Sequence, residues 1–294
     1  MHGLIVIDKE KGLTSHDVVN LLRRQTGIRK IGHTGTLDPM ATGVLILCIG
    51  RATRVASYVQ GHDKVYQLTM EFGKETDTLD AEGEVTKTSE VIPSEDAIRS
   101  ILQDFLGEQE QIPPMYSAIK VNGKKLYEHA RKGEVVEVSP RRVTIYSIEF
   151  LSYDAPNLTL RVHCSSGTYI RSFARDIAYT LETVGHLTAL RREKVGEIGM
   201  EDAVNLEELR NMDGENIEAL LLPMEVALKD LPKLVVDDEE ATRLRHGQHL
   251  RVNAPLCPEL CIEVNGELLG IGEVVLRGKS HVLHMTKGLS HEGS

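Results

Sequence analysis

The longest uncharged apolar stretch of the chain runs from Pro39 to Gly50 and ends in VLILCIG (44–50), where apolar side chains follow one another without alternation. A strand with one wet face alternates with period two; a run like this reads as a strand buried on both faces. The fold must therefore place material on either side of a sheet. The stretch is far short of the roughly 20 residues that span a bilayer. Directly before it, GHTGTLDP holds one carboxylate, Asp38, in a Gly- and Thr-rich loop.

Around that strand the pattern is mixed. LIVI (4–7) reads as a first strand, and GLTSHDVVNLLRRQTG as a helix, with Thr14 and Asp17 at capping-box spacing, Val18, Val19, Leu21 and Leu22 on its apolar face and Gly27 as a stop. VYQLTMEF (65–72) alternates, which turns Tyr66 inward, and RRVTIYSIEFLSY and LTLRVHCSS alternate as well. Residues 94–106 read as a helix, and 113–133 as a basic, proline-punctuated segment ending in a short helix stopped by Gly133. In GTYIRSFARDIAYTLETVG, Ile170, Phe173, Ala174, Ile177, Ala178 and Leu181 form a helical stripe, with Gly185 as its stop. Without regular βαβ alternation, the expected class is α/β (α+β), a mixed, largely antiparallel sheet flanked by helices. KDLPK (229–233) reads as a boundary, and residues 234–286 as short strands of a small β-barrel, with a hairpin at VNGELLG. The expected division is 1–230 and 231–294, consistent with a length of 294 residues.

A hydrophobic content of 41% with 27% charged residues excludes a disordered chain. The apolar run near the start is closed by Asp8, too short for a signal peptide, and the cysteines (Cys48, Cys164, Cys257 and Cys261) are sparse, so a cytoplasmic protein with reduced thiols is expected. The net charge of −10 argues against a uniformly basic nucleic-acid binder, but the charge is segregated. Residues 11–60 carry Lys11, Arg23, Arg24, Arg29, Lys30, Arg51 and Arg54 against Asp17 and Asp38; residues 120–142 carry Lys120, Lys124, Lys125, Arg131, Lys132, Arg141 and Arg142 against Glu128, Glu134 and Glu137. Such segregation builds either a positive channel on an acidic protein or a set of solvated faces.

No GxxxxGK[ST] loop, no complete dinucleotide fingerprint and no GxSxG elbow is present. His246, His249, Cys257 and Cys261 match no standard zinc spacing. Asp38-Pro39 has two readings: an N-cap followed by proline at the first helical position, or a rigidly held carboxylate open to ligand through Gly32, Gly35 and Gly43. Arg171 falls in a first helical turn, where a cation opposes the helix dipole; it either has an anionic partner or is a tolerated surface residue. Packing is the default for Tyr66, Tyr169 and His33.

Taken together, GHTGTLDPMATGVLILCIGRATR, LIVIDKEKGLTSHDVV, VYQLTMEFGKETDTLDAEGE, PPMYSAIKVNGKKLYEHARKG and CSSGTYIRSFARDIA, in their chain order, resemble the motifs of the TruB-type tRNA pseudouridine synthases, and residues 234–286 resemble the PUA module that often follows them. Glu10 departs from the pattern, standing where the family usually has proline. The resemblance implies the pseudouridine synthase fold and cofactor-free isomerisation of uridine 55 in the tRNA T arm, with no metal and no obligatory protein partner, by a monomer. It implies Asp38 as the catalytic carboxylate, Tyr66 stacking on a flipped base, and Arg171 paired with Asp38 and holding its pKa down. It further implies His33 supporting the flipped conformation, Tyr169 and Leu190 at the pocket, and Lys120, Lys124, Lys125 and Arg131 as phosphate contacts in a segment that orders on the T arm; Arg191 and Arg192 are further phosphate candidates.

Overall fold

The structure, a computed structural model, describes residues 1–290 except Asn122, Arg131 and Val135. The strand Thr42–Ile49 is buried on both faces. Its side chains divide by parity, as the period of a strand requires. Leu45, Leu47 and Ile49 pack with Ile5, Ile7 and the buried side of the helix Ser15–Thr26. Val44, Ile46 and Cys48 pack with Leu4 and Val6 on the opposite side.

The main sheet runs Val204–Asn205, Gly3–Lys9, Thr42–Ile49, Gly185–Val195, Lys64–Phe72, Asn157–Cys164, Arg141–Asp154, Gly107–Gln111. Gly3–Lys9 with Val204–Asn205 and Thr42–Ile49 with Gly185–Val195 are parallel; the other neighbours along this path are antiparallel. This is the mixed, largely antiparallel sheet expected. Helix Ser15–Thr26 has the Thr14/Asp17 capping box and Gly27 at φ 71° as its C-cap, a cap worth about 1 kcal/mol. Helix Ile170–Thr180 buries Ile170, Phe173, Ala174, Ile177 and Ala178 against the sheet. The expected helix over 94–106 is a helix Glu95–Ile101 followed by a 3-10 turn, Leu102–Phe105.

Two expectations differ. Helix Ile170–Thr180 ends before Gly185, turning through Glu182 at φ 54°. Gly185 instead opens a central strand, Gly185–Val195; a Cβ there would stand 3.0 Å from Met70 Cε and 3.1 Å from Ala178 Cβ, so glycine lets helix and sheet close on each other. That strand is poorly legible because bulges between Leu187 and Ala189 and between Arg192 and Lys194 break its alternation.

The C-terminal sheet runs Lys233–Val235, Cys257–Val264, Glu267–Arg277, Ser280–Gly288, Leu250–Arg251. Its hairpin turns at Asn265 (φ 53°) and Gly266 (φ 82°), both left-handed as a tight hairpin turn requires. The helix Asp238–Arg245, absent from the strand-only reading, buries just Ala241 and Leu244; its signal was the Asp237/Glu240 capping box. Cys261, Leu268, Ile271 and Leu289 join the apolar cluster of Val44, Ile46 and Cys48, so the C-terminal sheet covers one face of the main sheet. No helix among the described residues is long and apolar enough to cross a membrane.

Candidate active site

The loop carrying Asp38 is pinned from below. Leu37 N–H donates to Ser15 Oγ at 2.8 Å, Ser15 Oγ donates to Leu37 O at 3.2 Å, and Gly12 N–H donates to Pro39 O at 2.8 Å. Lys9, fully buried, donates through Nζ to Leu13 O (2.7 Å), Glu10 O (2.9 Å) and Pro39 O (3.4 Å). Ala41 N–H donates to Asp38 O at 3.0 Å, closing a turn that no helix follows. The helix-cap reading of Asp38 therefore does not hold. Gly43, at φ 95°, is required because a Cβ would stand 2.2 Å from Arg192 O on the adjoining strand.

The Asp38 carboxylate pairs with Arg171. Arg171 Nε lies 2.9 Å from Asp38 Oδ2, and Nη2 donates to Asp38 Oδ1 at 3.2 Å, a bidentate fork. Two further donors of the guanidinium are used, Nη1 to Thr78 O at 2.8 Å and Nη2 to Tyr116 O at 2.8 Å, and Asp80 Oδ2 forms an ion pair at 3.6 Å from Nη1. The Arg171 side chain is 6% exposed and that of Asp38 31%, so the cation is sealed while the acid can be reached. Helix Ile170–Thr180 is held at this height by Gln111, whose amide accepts from Tyr169 N–H (2.8 Å) and donates to Tyr169 O (3.1 Å).

Asp38, Tyr66, Tyr169, Arg171, Leu190 and Lys125 line one cavity of about 440 Å³. Lys64 and Arg192 line it too, both buried. Arg192 is fixed by Nε donating to Val44 O at 2.8 Å and Nη2 to Gly35 O at 3.3 Å. Burial pushes the Tyr66 phenol up, so it stays protonated at neutral pH, and pushes Lys64 down to about 8.

Burial also pushes the Asp38 carboxyl above the usual carboxylate range; Arg171 pulls against it, and Asp80 adds to the rise. This corrects the expectation that Arg171 holds that pKa down: the guanidinium offsets a larger desolvation cost. Asp80, buried and unforeseen, is fixed by Thr78 Oγ1 (2.6 Å) and Glu82 N–H (3.0 Å) donating to its Oδ1. Its signal, an acid inside the TDTLDAEGE turn, does not stand out among its acidic neighbours. Because the Asp80 charge raises the Asp38 pKa, Asp80→Asn is expected to move the acid limb of kcat/KM to lower pH. The neutral-pH rate should fall by roughly tenfold as Arg171 loses support. A limb that stays put or moves to higher pH would refute this coupling.

Other expected site residues stand apart. His33 is on the short strand Ile31–His33 and outside the cavity lining; burial lowers its pKa, with Arg192 and His16 adding. Lys120 and Lys124 are in the paired strands Lys120–Val121 and Lys124–Lys125, exposed and off the lining, and Arg131 lies outside the described residues. Arg191, expected beside Arg192, points away and pairs with Asp8 at 2.8 Å. Arg23, part of the basic run, donates to Ile31 O.

Among solved structures, the archaeal box H/ACA sRNP Nop10-Cbf5 complex matches with a TM-score of 0.73 and 26% identity, covering 98% of this chain and 86% of that chain. Residues 23–170 match the family described as TruB family pseudouridylate synthase (N terminal domain), and residues 171–229 match the tRNA pseudouridylate synthase B C-terminal domain. The fold is that of a pseudouridylate synthase, with a curled, PUA-like sheet at the C-terminal end. The tRNA pseudouridine synthase B of Dechloromonas aromatica is 44% identical over 92% of this chain and 91% of its own length. That of Caldanaerobacter subterraneus subsp. tengcongensis is 45% identical over 85% and 86%. The chain belongs to the TruB family of tRNA pseudouridine synthases, isomerases that act on tRNA.

Proposed function

We propose that this enzyme converts uridine 55 in the T arm of tRNA to pseudouridine, without a cofactor and without a partner protein, as a cytoplasmic monomer. The reaction is a rearrangement: the bond from ribose C1′ to N1 of uracil breaks, a bond from C1′ to C5 forms, the C5 proton leaves and N1 takes up a proton. Nothing is oxidised or reduced. The carrying observation is the Asp38 carboxylate, forked by a sealed arginine yet 31% exposed at the cavity wall.

A carboxylate so held attacks substrate carbon and leaves again, or takes a sugar proton; either role breaks and re-forms the glycosidic link. The cavity accepts a base only once it is unstacked, at a cost of a few kcal/mol. Tyr66 offers its face to that base, and Tyr169 and Leu190 close the apolar sides. His33 supports the flipped nucleotide from the entry, while Lys120, Lys124, Lys125 and Arg131 meet phosphates of the arm. Residues 1–230 form the catalytic domain and 231–294 a PUA-like RNA-binding domain, a division supported by the family match that ends at residue 229.

The decisive assay is the purified chain on an unmodified T-arm hairpin tritiated at uridine C5. Release of the label is expected, and none from a hairpin with cytidine at 55. A chain that acts only with an added guide RNA or protein would overturn the stand-alone reading.

A further inference from the structure

A second cavity, of about 460 Å³, lies at the seam between the main sheet and the C-terminal sheet, lined by Arg51, Arg54, Arg245 and His2 together with Gly288 and Ser290. Arg51 and Arg54 belong to the 3-10 turn Gly50–Arg54 that follows the strand Thr42–Ile49. Asp38 precedes that strand, so its eight residues separate the two cavities by roughly 26 Å of extended chain. Arg245 is the last residue of helix Asp238–Arg245, where a cation is favoured by the helix dipole.

The arginines converge without an acid. Elsewhere on this acidic chain, Arg99, Arg161, Arg171, Arg175 and Arg191 each sit in an ion pair with Asp or Glu. Among the described residues, Arg51, Arg54 and Arg245 have no ion pair and no acidic side chain lines their cavity. Arg51 Nη1 donates to Ser290 O and Arg54 Nη1 to Gly288 O, which aims both guanidinium groups while leaving most of their donors without an acceptor among the described residues. Arg51 Nε is buried and has no acceptor among the described residues. A concave group of guanidinium forks with free donors and no counter-charge is built for an oxyanion, above all a phosphate taken bidentately.

We propose that this seam is a phosphate-binding site for the sugar-phosphate backbone of the tRNA substrate, engaging a part of the molecule remote from the target uridine. The proposal rests on the tRNA reading above. Because its walls come from both sheets, the site exists only while they are docked, so tRNA binding there reinforces their packing.

The test measures tRNA affinity against salt concentration, alongside single-turnover rates at saturating tRNA. Arg245→Gln, at an exposed position whose side chain has no hydrogen bond among the described residues, is expected to weaken tRNA binding about fivefold. It should also reduce the slope of log affinity against log salt by about 1, with the saturated rate unchanged. Arg51→Gln/Arg54→Gln/Arg245→Gln should lose about a hundredfold, and Arg51→Lys/Arg54→Lys/Arg245→Lys should recover most of the slope, which a purely structural defect would not allow. Unchanged affinity and slope in Arg245→Gln and in a folded triple Gln variant would overturn the proposal. So would altered binding of inorganic phosphate with tRNA affinity intact, which would leave a small-anion site. A wild-type chain that binds tRNA but modifies a uridine elsewhere than the T arm would revise the position read by the active site and leave this site standing.

Discussion

Asp38→Asn protein is expected to bind tRNA within a fewfold of the wild-type affinity and to form pseudouridine at least ~10³-fold more slowly, the scale on which removal of a reacting group is felt. The exchange is nearly isosteric and the loop is pinned independently by Ser15, Gly12 and Lys9, so the cavity keeps its shape. What goes is the charge and one oxygen that can bond to carbon or accept a proton. Single-turnover assays on unmodified tRNA, with affinity measured separately, decide the matter; undiminished product would reject Asp38 as the reacting group. In the wild type, burial raises the Asp38 pKa, and the proposed role requires the ionised form. Activity should therefore fall with acid at a pH above that of an ordinary aspartate.

Arg171 should behave differently according to what replaces it. Arg171→Ala leaves Asp38 and the buried Asp80 without the cation between them, a loss of the kind that costs about 3–5 kcal/mol. Without Arg171, the Asp38 carboxyl, whose pKa burial already raises, would lose the group that pulls it down and would stand further above its unfolded value. Stability from such a group is present at low pH and is lost as pH rises through the folded pKa. The Ala variant should therefore be markedly less stable than wild type at neutral pH and recover in mild acid, as seen by thermal unfolding across pH. Arg171→Lys keeps the charge and most of the stability but cannot reproduce a fork that also reaches Thr78 O and Tyr116 O. We expect its saturated rate to drop by roughly a hundredfold with only a small loss of tRNA affinity. Equal losses of rate and affinity would assign Arg171 to docking instead.

Much of the fold was legible where a local rule acts alone. The capping box at Thr14 and Asp17, the doubly buried strand and the hairpin at Asn265 and Gly266 each follow from a few neighbouring residues. Strand Gly185–Val195 escaped notice because its buried arginine, Arg192, is made tolerable only by Val44 O and Gly35 O, acceptors more than a hundred residues away. Helix Asp238–Arg245 escaped because its charged residues hide a thin apolar stripe. In the site, Arg171 announced itself by sitting against the helix dipole, whereas Asp80, Lys64 and Lys9 carried no comparable local anomaly.

By itself, the sequence determined that one carboxylate stands in a tight, glycine-bearing loop against a strand that must be buried on both faces, and that a distant arginine sits against its helix dipole, either paired with an anion or tolerated at the surface. Only the tertiary structure decided that these two meet. It also decided that the side chain of Asp38 turns to Arg171 and not to a helix end, that burial outweighs Arg171 in setting its pKa, and that Arg51, Arg54 and Arg245 share a cavity with no acid among the described residues. The reason is physical: helix periods and caps are short-range preferences written in consecutive residues. Desolvation and charge pairing depend on which atoms come within a few ångströms once the sheets have closed.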